Sequence, residues 1–134
     1  MDATELKQRT KKFALRSIRL VNSLPKNQIA GVIGRQLLRS ATSVGANYRA
    51  ACRAKSSADF ICKMGIVEEE ADETLYWLEL LIEAELVHAE KLKPLMGEAN
   101  ALTAIAVASQ NTAKRKMRSV RKSALRTPQS AIEN

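Results

Sequence analysis

Few residues in this chain are of types that do chemistry, and their spacing suits it badly. The single histidine, His88, closes a Glu85-Leu86-Val87-His88 run. In helical bundles a Glu-x-x-His pair on each of two helices can build half of a di-metal carboxylate centre. The chain has no second histidine to complete one. The run is therefore expected to be a charged helix end, with His88 near the C-terminus where the helix dipole favours a cation. Glu68, Glu69 and Glu70 are adjacent carboxylates, but successive helical residues do not face one another and cannot converge for acid–base work. Cys52 and Cys62 are too few for a disulfide framework and are expected to be reduced packing residues. A Gly-rich phosphate loop, a Gly-x-Ser-x-Gly elbow, His-Glu-x-x-His and Cys-x-x-Cys are all missing from the sequence. The expectation is a protein without enzymatic activity, cofactor or metal.

Cations are the remaining candidates. The 134 residues carry 22 Lys and Arg against 14 Asp and Glu, a net charge of +8. That charge is segregated. Residues 1–55 hold 12 basic and 2 acidic side chains, residues 56–90 hold 1 and 10, and residues 114–134 hold 7 and 1. Arg35, Arg39, Arg49 and Arg53 share one side of a helix at 3.6-residue periodicity, and their planar guanidinium groups suit phosphate or carboxylate pairing. Part of this charge is expected to pair with the acidic middle of the chain. The C-terminal run of Lys114, Arg115, Lys116, Arg118, Arg121 and Lys122 has almost no acid near it in sequence. It is the strongest candidate for phosphate contacts. Aromatic residues are only 4% of the chain, which argues for backbone contacts rather than stacking on unpaired bases.

Four helices must position these groups. Composition alone points to helix, with 5 Gly, 3 Pro and no Pro between Asn27 and Glu90. The apolar periodicity predicts helices from about Thr4 to Ser23, Asn27 to Arg53, Ser57 to Leu86 and Leu92 to Met117. Expected core stripes are Leu6, Phe13, Ser17, Leu20, Val21 and Leu24; then Ile29, Ile33, Leu37, Ser40, Val44, Tyr48 and Ala51. The third is Phe60, Met64, Val67, Ala71, Leu75, Leu78 and Ile82, and the fourth Leu95, Ala99, Leu102, Ile105 or Ala106, Ser109 and Ala113. On the first helix Arg9, Lys12, Arg16, Arg19 and Lys26 take the opposite face. Gly34 and Gly45 read as close-approach points, and Pro94 as a first-turn residue. Short connections force antiparallel neighbours, so the fold class is all-α, an up-down four-helix bundle over residues 1–118. Residues 119–134 are expected to be a basic, flexible tail, with disorder from Thr127 onward. No apolar run approaches the roughly 18 residues of a membrane span, so a cytoplasmic protein without a membrane partner is expected.

The third helix carries a second apolar stripe. Ile66, Trp77, Leu80 and Ala84 lie apart from its first stripe, beside Glu73 and Tyr76. Exposed aromatic patches with a charged border mark interfaces. These residues either lie beneath another helix of the same bundle or form an oligomer contact, the reading expected here, and a head-to-tail contact that closes makes a ring.

Several segments resemble a bacterial family of four-helix-bundle proteins. They are Gln36–Ala51, with Arg39, Ser40, Gly45, Asn47 and Tyr48; Ala54–Phe60; Glu70–Leu81; and Thr112–Arg115. The family includes proteins encoded in intervening sequences of large-subunit ribosomal RNA genes. It is also similar to the accessory variability protein of diversity-generating retroelements. The resemblance runs over about residues 5–116 and implies a homopentameric ring with a positive surface. It further implies RNA or DNA, and a reverse transcriptase-like protein, as partners. It supplies no catalytic residues. A non-enzymatic, ring-forming nucleic-acid-binding protein is the function expected. The alternative is a scaffold that docks an acidic or polymerase-like protein through its basic face.

Overall fold

The computed structural model describes the backbone of residues 1–133 and the side chains of residues 1–125. Four helices follow one another: α1 (Ala3–Asn22), α2 (Gln28–Cys52), α3 (Ser57–Glu83) and α4 (Ala89–Glu133). No strand is present among the described residues, so the all-α bundle expectation holds. The first three helices begin on side-chain caps that offset unpaired backbone donors. Asp2 accepts from the Glu5 N–H at 2.8 Å, Asn27 from Ala30 at 2.9 Å and Ser56 from Asp59 at 3.0 Å. Each helix packs on the next in sequence, and α1 meets α4 more lightly, which closes an antiparallel bundle.

The core is a continuous cluster with Phe13, Leu37, Met64, Leu78, Leu81 and Leu102 at its centre. Close approach of α1 to α2 depends on glycine at two places. A Cβ on Gly34 would sit 3.2 Å from both Leu24 and Val21, and one on Gly45 would sit 3.2 Å from Thr10 Oγ1. Both glycines are thus the expected approach points. Four hydroxyl residues, Thr10, Ser17, Ser40 and Thr74, are also buried. Ser17 and Ser40 donate back to the carbonyls of Phe13 and Leu37, and Thr74 Oγ1 lies 2.9 Å from Ser40 Oγ across α2 and α3. No buried side-chain polar atom among the described residues lacks a partner, as low-polarity interiors demand.

Several sequence expectations are corrected. Ile29 is 60% exposed, because α2 has barely begun there and no helix covers it. On α3 the buried line runs through Thr74 and Leu81, with Leu75 and Ile82 only half-buried. Ala30, Ala41 and Thr10 join the core unannounced, since small and hydroxyl side chains carry little apolar signal. Cys52 and Cys62 are exposed rather than packed. Pro94 lies in the second turn of α4, because that helix starts three residues earlier than expected. The ring there removes one interior hydrogen bond.

The Glu85–His88 run lies just past the last turn of α3, in the connection to α4, rather than on the helix itself. Glu85 has φ 60°, and the N–H groups of Glu85 and Leu86 return to the carbonyls of Ile82 and Leu81. That is the Schellman arrangement, which stops a helix with a left-handed residue. Leu86 folds back onto the core. The turn destroys the helical register a Glu-x-x-His pair needs. Left-handed geometry costs a residue with a Cβ roughly 1–2 kcal/mol. Glu85→Gly is therefore expected to stabilise the fold by about 0.5–1 kcal/mol, part of the relief being offset by the freer unfolded chain. Urea unfolding measures it, and an unchanged or lower midpoint contradicts it.

At its other end α4 runs far past its expected stop near Met117. Residues 113–125 are mostly Ala, Lys, Arg, Met and Leu, all strong helix formers, with neither Gly nor Pro among them. From Lys114 to Leu125 every residue but Met117 is exposed. This overhang forms a projecting basic arm. The disorder expected over Thr127–Asn134 falls on residues whose side chains lie outside the described set.

Candidate nucleic-acid interface

The arginines of α2 have different fates. Arg35, Arg39, Arg49 and Arg53 are all exposed. Arg39 reaches across to α3, with Nη2 donating to Glu73 Oε1 at 2.6 Å and Nη1 to Glu70 Oε2 at 3.3 Å. Its charge is already matched inside the chain. Arg35, Arg49 and Arg53 make no ion pair among the described residues. The expected pairing between the basic half and acidic α3 therefore comes down to one arginine. A second pair links α1 to α4: Arg9 grips Glu98 with two parallel hydrogen bonds of 2.7 and 2.8 Å. Such bidentate geometry is the strong form of the contact.

Glu73 has a second partner. The Trp77 indole N–H donates to its Oε1 at 3.2 Å, and the Tyr76 ring meets Trp77 edge-on with centroids 5.1 Å apart. The hydrogen bond from Arg39 holds the Glu73 carboxyl below the ordinary carboxylate range, against the opposing effect of burial and with help from Trp77. A carboxyl with a depressed pKa contributes stability above its ordinary range and loses it as the pH falls through its folded value. Trp77 is the only tryptophan. Acidification through and below the ordinary carboxylate range is thus expected to shift its emission as Glu73 is protonated. The shift should vanish in Glu73→Gln, and its persistence there would assign it to another group.

Periodicity put Arg16 and Arg19 on one face of α1 but did not show the third cation that joins them. Arg16 and Arg19 of α1 and Lys91 of α4 line a cleft of about 350 Å³, together with Ser23 and the Pro94–Leu95 step. No acidic side chain lines it. Arg9, about two turns before Arg16 along α1, is already paired with Glu98 of α4. Lys91 stood in a near-neutral stretch and gave no signal by itself, since only the α1–α4 contact brings it to Arg16 and Arg19. Lys7, Lys11, Lys12 and Lys26 are exposed on the same helix or just after it.

Along the arm, Lys114, Arg115, Lys116, Arg118, Arg121 and Lys122 are all exposed. They are spread around most of the helix circumference, and Arg115 makes a long 3.4 Å contact to Thr112. At the root of the arm an open apolar cavity of about 800 Å³ lies between α4 and the α2–α3 turn, lined by Tyr48, Phe60 and Ile105, with Lys55 and Lys116 also in its wall. Burial, then a hydrogen bond with Cys52, pushes the Tyr48 hydroxyl pKa upward. The expected oligomer contacts are scattered more widely. Tyr76 is 53% exposed and Ala84 is exposed, Ile66, Trp77 and Leu80 are half-buried, and Glu73 is held by Arg39. No group of His, Cys, Asp or Glu able to hold a metal occurs among the described residues, and no helix is long and apolar enough to cross a membrane.

An antiparallel helical bundle with a cationic α1 face and a basic projecting helix defines the class of this protein. Comparison with known proteins gives the family. Residues 3–108 match the 23S rRNA-intervening sequence protein family, and the chain belongs to it. Among solved structures it is similar to a protein of unknown function from the S23 ribosomal protein family of Bacteroides thetaiotaomicron. The two share 37% identity with a TM-score of 0.77, over 83% of this chain and 99% of that one. No curated protein matches the chain.

Proposed function

We propose that this protein is a non-enzymatic nucleic-acid-binding protein that assembles into a ring and contacts RNA or DNA through phosphates. The observation that carries the reading is the acid-free cleft where Arg16, Arg19 and Lys91 converge, continued by the unpaired cations of α1. Arg35, Arg49, Arg53 and the arm extend the charge to other faces. Phosphate contacts release counterions, so affinity falls steeply with salt. A scarcity of exposed aromatic side chains favours backbone recognition over base stacking. Self-association is supported by the strip of exposed Tyr76, half-buried Leu80 and exposed Ala84, since apolar strips open to solvent mark interfaces.

The test is titration of the full chain against a structured RNA hairpin and a DNA duplex at several salt concentrations. Tight binding that weakens as salt rises is expected. Binding absent even at low salt, or indifferent to salt, overturns the reading. Ring formation is read separately by light scattering, and a mass equal to one 14.8 kDa chain at high concentration overturns it.

A further inference from the structure

We infer that the basic arm of one copy docks along the outer face of α3 of the next copy, with cations against carboxylates and methionine and valine against tyrosine and leucine. This inference rests on the self-association reading and names its occupant.

Two unpartnered surfaces carry matching patterns. On α3, Asp72, Glu79 and Glu83 form a line at helical spacing, and Tyr76, Leu80 and Ala84 form a parallel line beside it. Asp72 and Glu83 are exposed, Glu79 is half-exposed, and none of the three makes an ion pair among the described residues. The adjacent acids differ, since Glu70 and Glu73 are held by Arg39 and Glu68 by Gln110. On the arm, Met117, Val120 and Ala124 continue the core stripe of α4 beyond the end of the bundle, with Val120 67% exposed. Lys114, Arg118 and Arg121 run beside them as the cationic line. Each surface thus offers one charged row and one apolar row, of opposite charge sign.

The arm cannot reach its own chain's acidic row. It is continuous with α4, which packs along α3 and leaves the bundle where Ser57, at the start of α3, and Thr112 line the same cavity. The acidic row lies toward the other end of α3, so a straight helix running outward moves away from it. Only a second copy can bring the two together. The lengths agree: at about 1.5 Å per residue the twelve residues 114–125 span roughly 18 Å, close to the extent of residues 72–83. A contact in which the arm of one copy meets α3 of another is head-to-tail, the type that closes rings. Cations on the rest of the arm's circumference stay available to phosphate.

Charge reversal in the full chain tests this. Lys114, Arg118 and Arg121 are changed to Glu in one variant, Asp72, Glu79 and Glu83 to Lys in a second, and all six in a third. All six residues are exposed or half-exposed on helices, so folding is checked simply by circular dichroism. Each single-row variant is expected to fall to the mass of one chain by light scattering, with a shift in Trp77 emission. The six-residue variant is expected to recover both the wild-type mass and the wild-type emission. Full-size assemblies from both single-row variants overturn the docking and leave self-association standing. So does failure of the six-residue variant to recover. A wild-type chain that stays single at high concentration overturns self-association itself. Loss of RNA binding by the arm variant at unchanged mass assigns the arm to nucleic acid alone and overturns the docking.

Discussion

Replacing Arg16, Arg19 and Lys91 together by Gln is expected to flatten the salt dependence of RNA binding by about three units in the slope of log K against log salt. Each phosphate contact contributes about one unit, and neutralising a cation removes its share almost regardless of sequence. The three side chains surround one acid-free cleft, so their losses should be similar and cumulative. Gln keeps the first methylenes of each side chain and a polar end while removing the charge. A control is Arg39→Gln, whose charge is already spent on Glu70 and Glu73. It should leave the slope within about half a unit of wild type. Equal effects from the triple variant and Arg39→Gln would place the phosphate contacts elsewhere. Filter binding or fluorescence anisotropy at four or more salt concentrations supplies both slopes.

Phe13→Ala should cost the fold about 3–5 kcal/mol, the usual loss for emptying a large, fully enclosed aromatic site. Phe13 has no exposed surface and is among the largest enclosed side chains of the core. Gly45 of α2 already lies against Thr10, one turn from Phe13 on α1, with almost no slack. Chemical denaturation measures the loss, and a cost below about 1.5 kcal/mol would mean that the core relaxes into the space. A domain of this size has only about 5–15 kcal/mol of total stability, so the variant should also be recovered in lower yield.

Much of the architecture was legible in the sequence because helices write themselves into period and punctuation. Asp2, Asn27 and Ser56 cap where the pattern begins, and Leu37, Val44, Met64, Val67 and Leu78 take the core positions their spacing assigns. Gly34 and Gly45 were readable as approach points, since glycine in a helix interior costs stability that only packing returns. The end of α3 was not legible. A glycine is the usual mark of a left-handed stop, and Glu85 stands in its place. Nor was the length of α4, whose apolar signal thins at Ser119 while strong helix-forming residues carry the backbone onward.

Charge was read least completely. By itself the sequence determined four amphipathic helices, their antiparallel order and the segregation of a basic first half, an acidic middle and a basic end. Periodicity places a residue on one side of its own helix, and composition counts its charge. Only the tertiary structure decided which charges meet. Arg39 finds Glu70 and Glu73, and Arg9 finds Glu98, whereas Arg16, Arg19 and Lys91 converge with no acid among them. The reason is physical: an ion pair or a phosphate-sized cleft depends on how two helices are rotated and shifted against each other. That geometry is set by side-chain packing between the helices, and no single helix's pattern contains it.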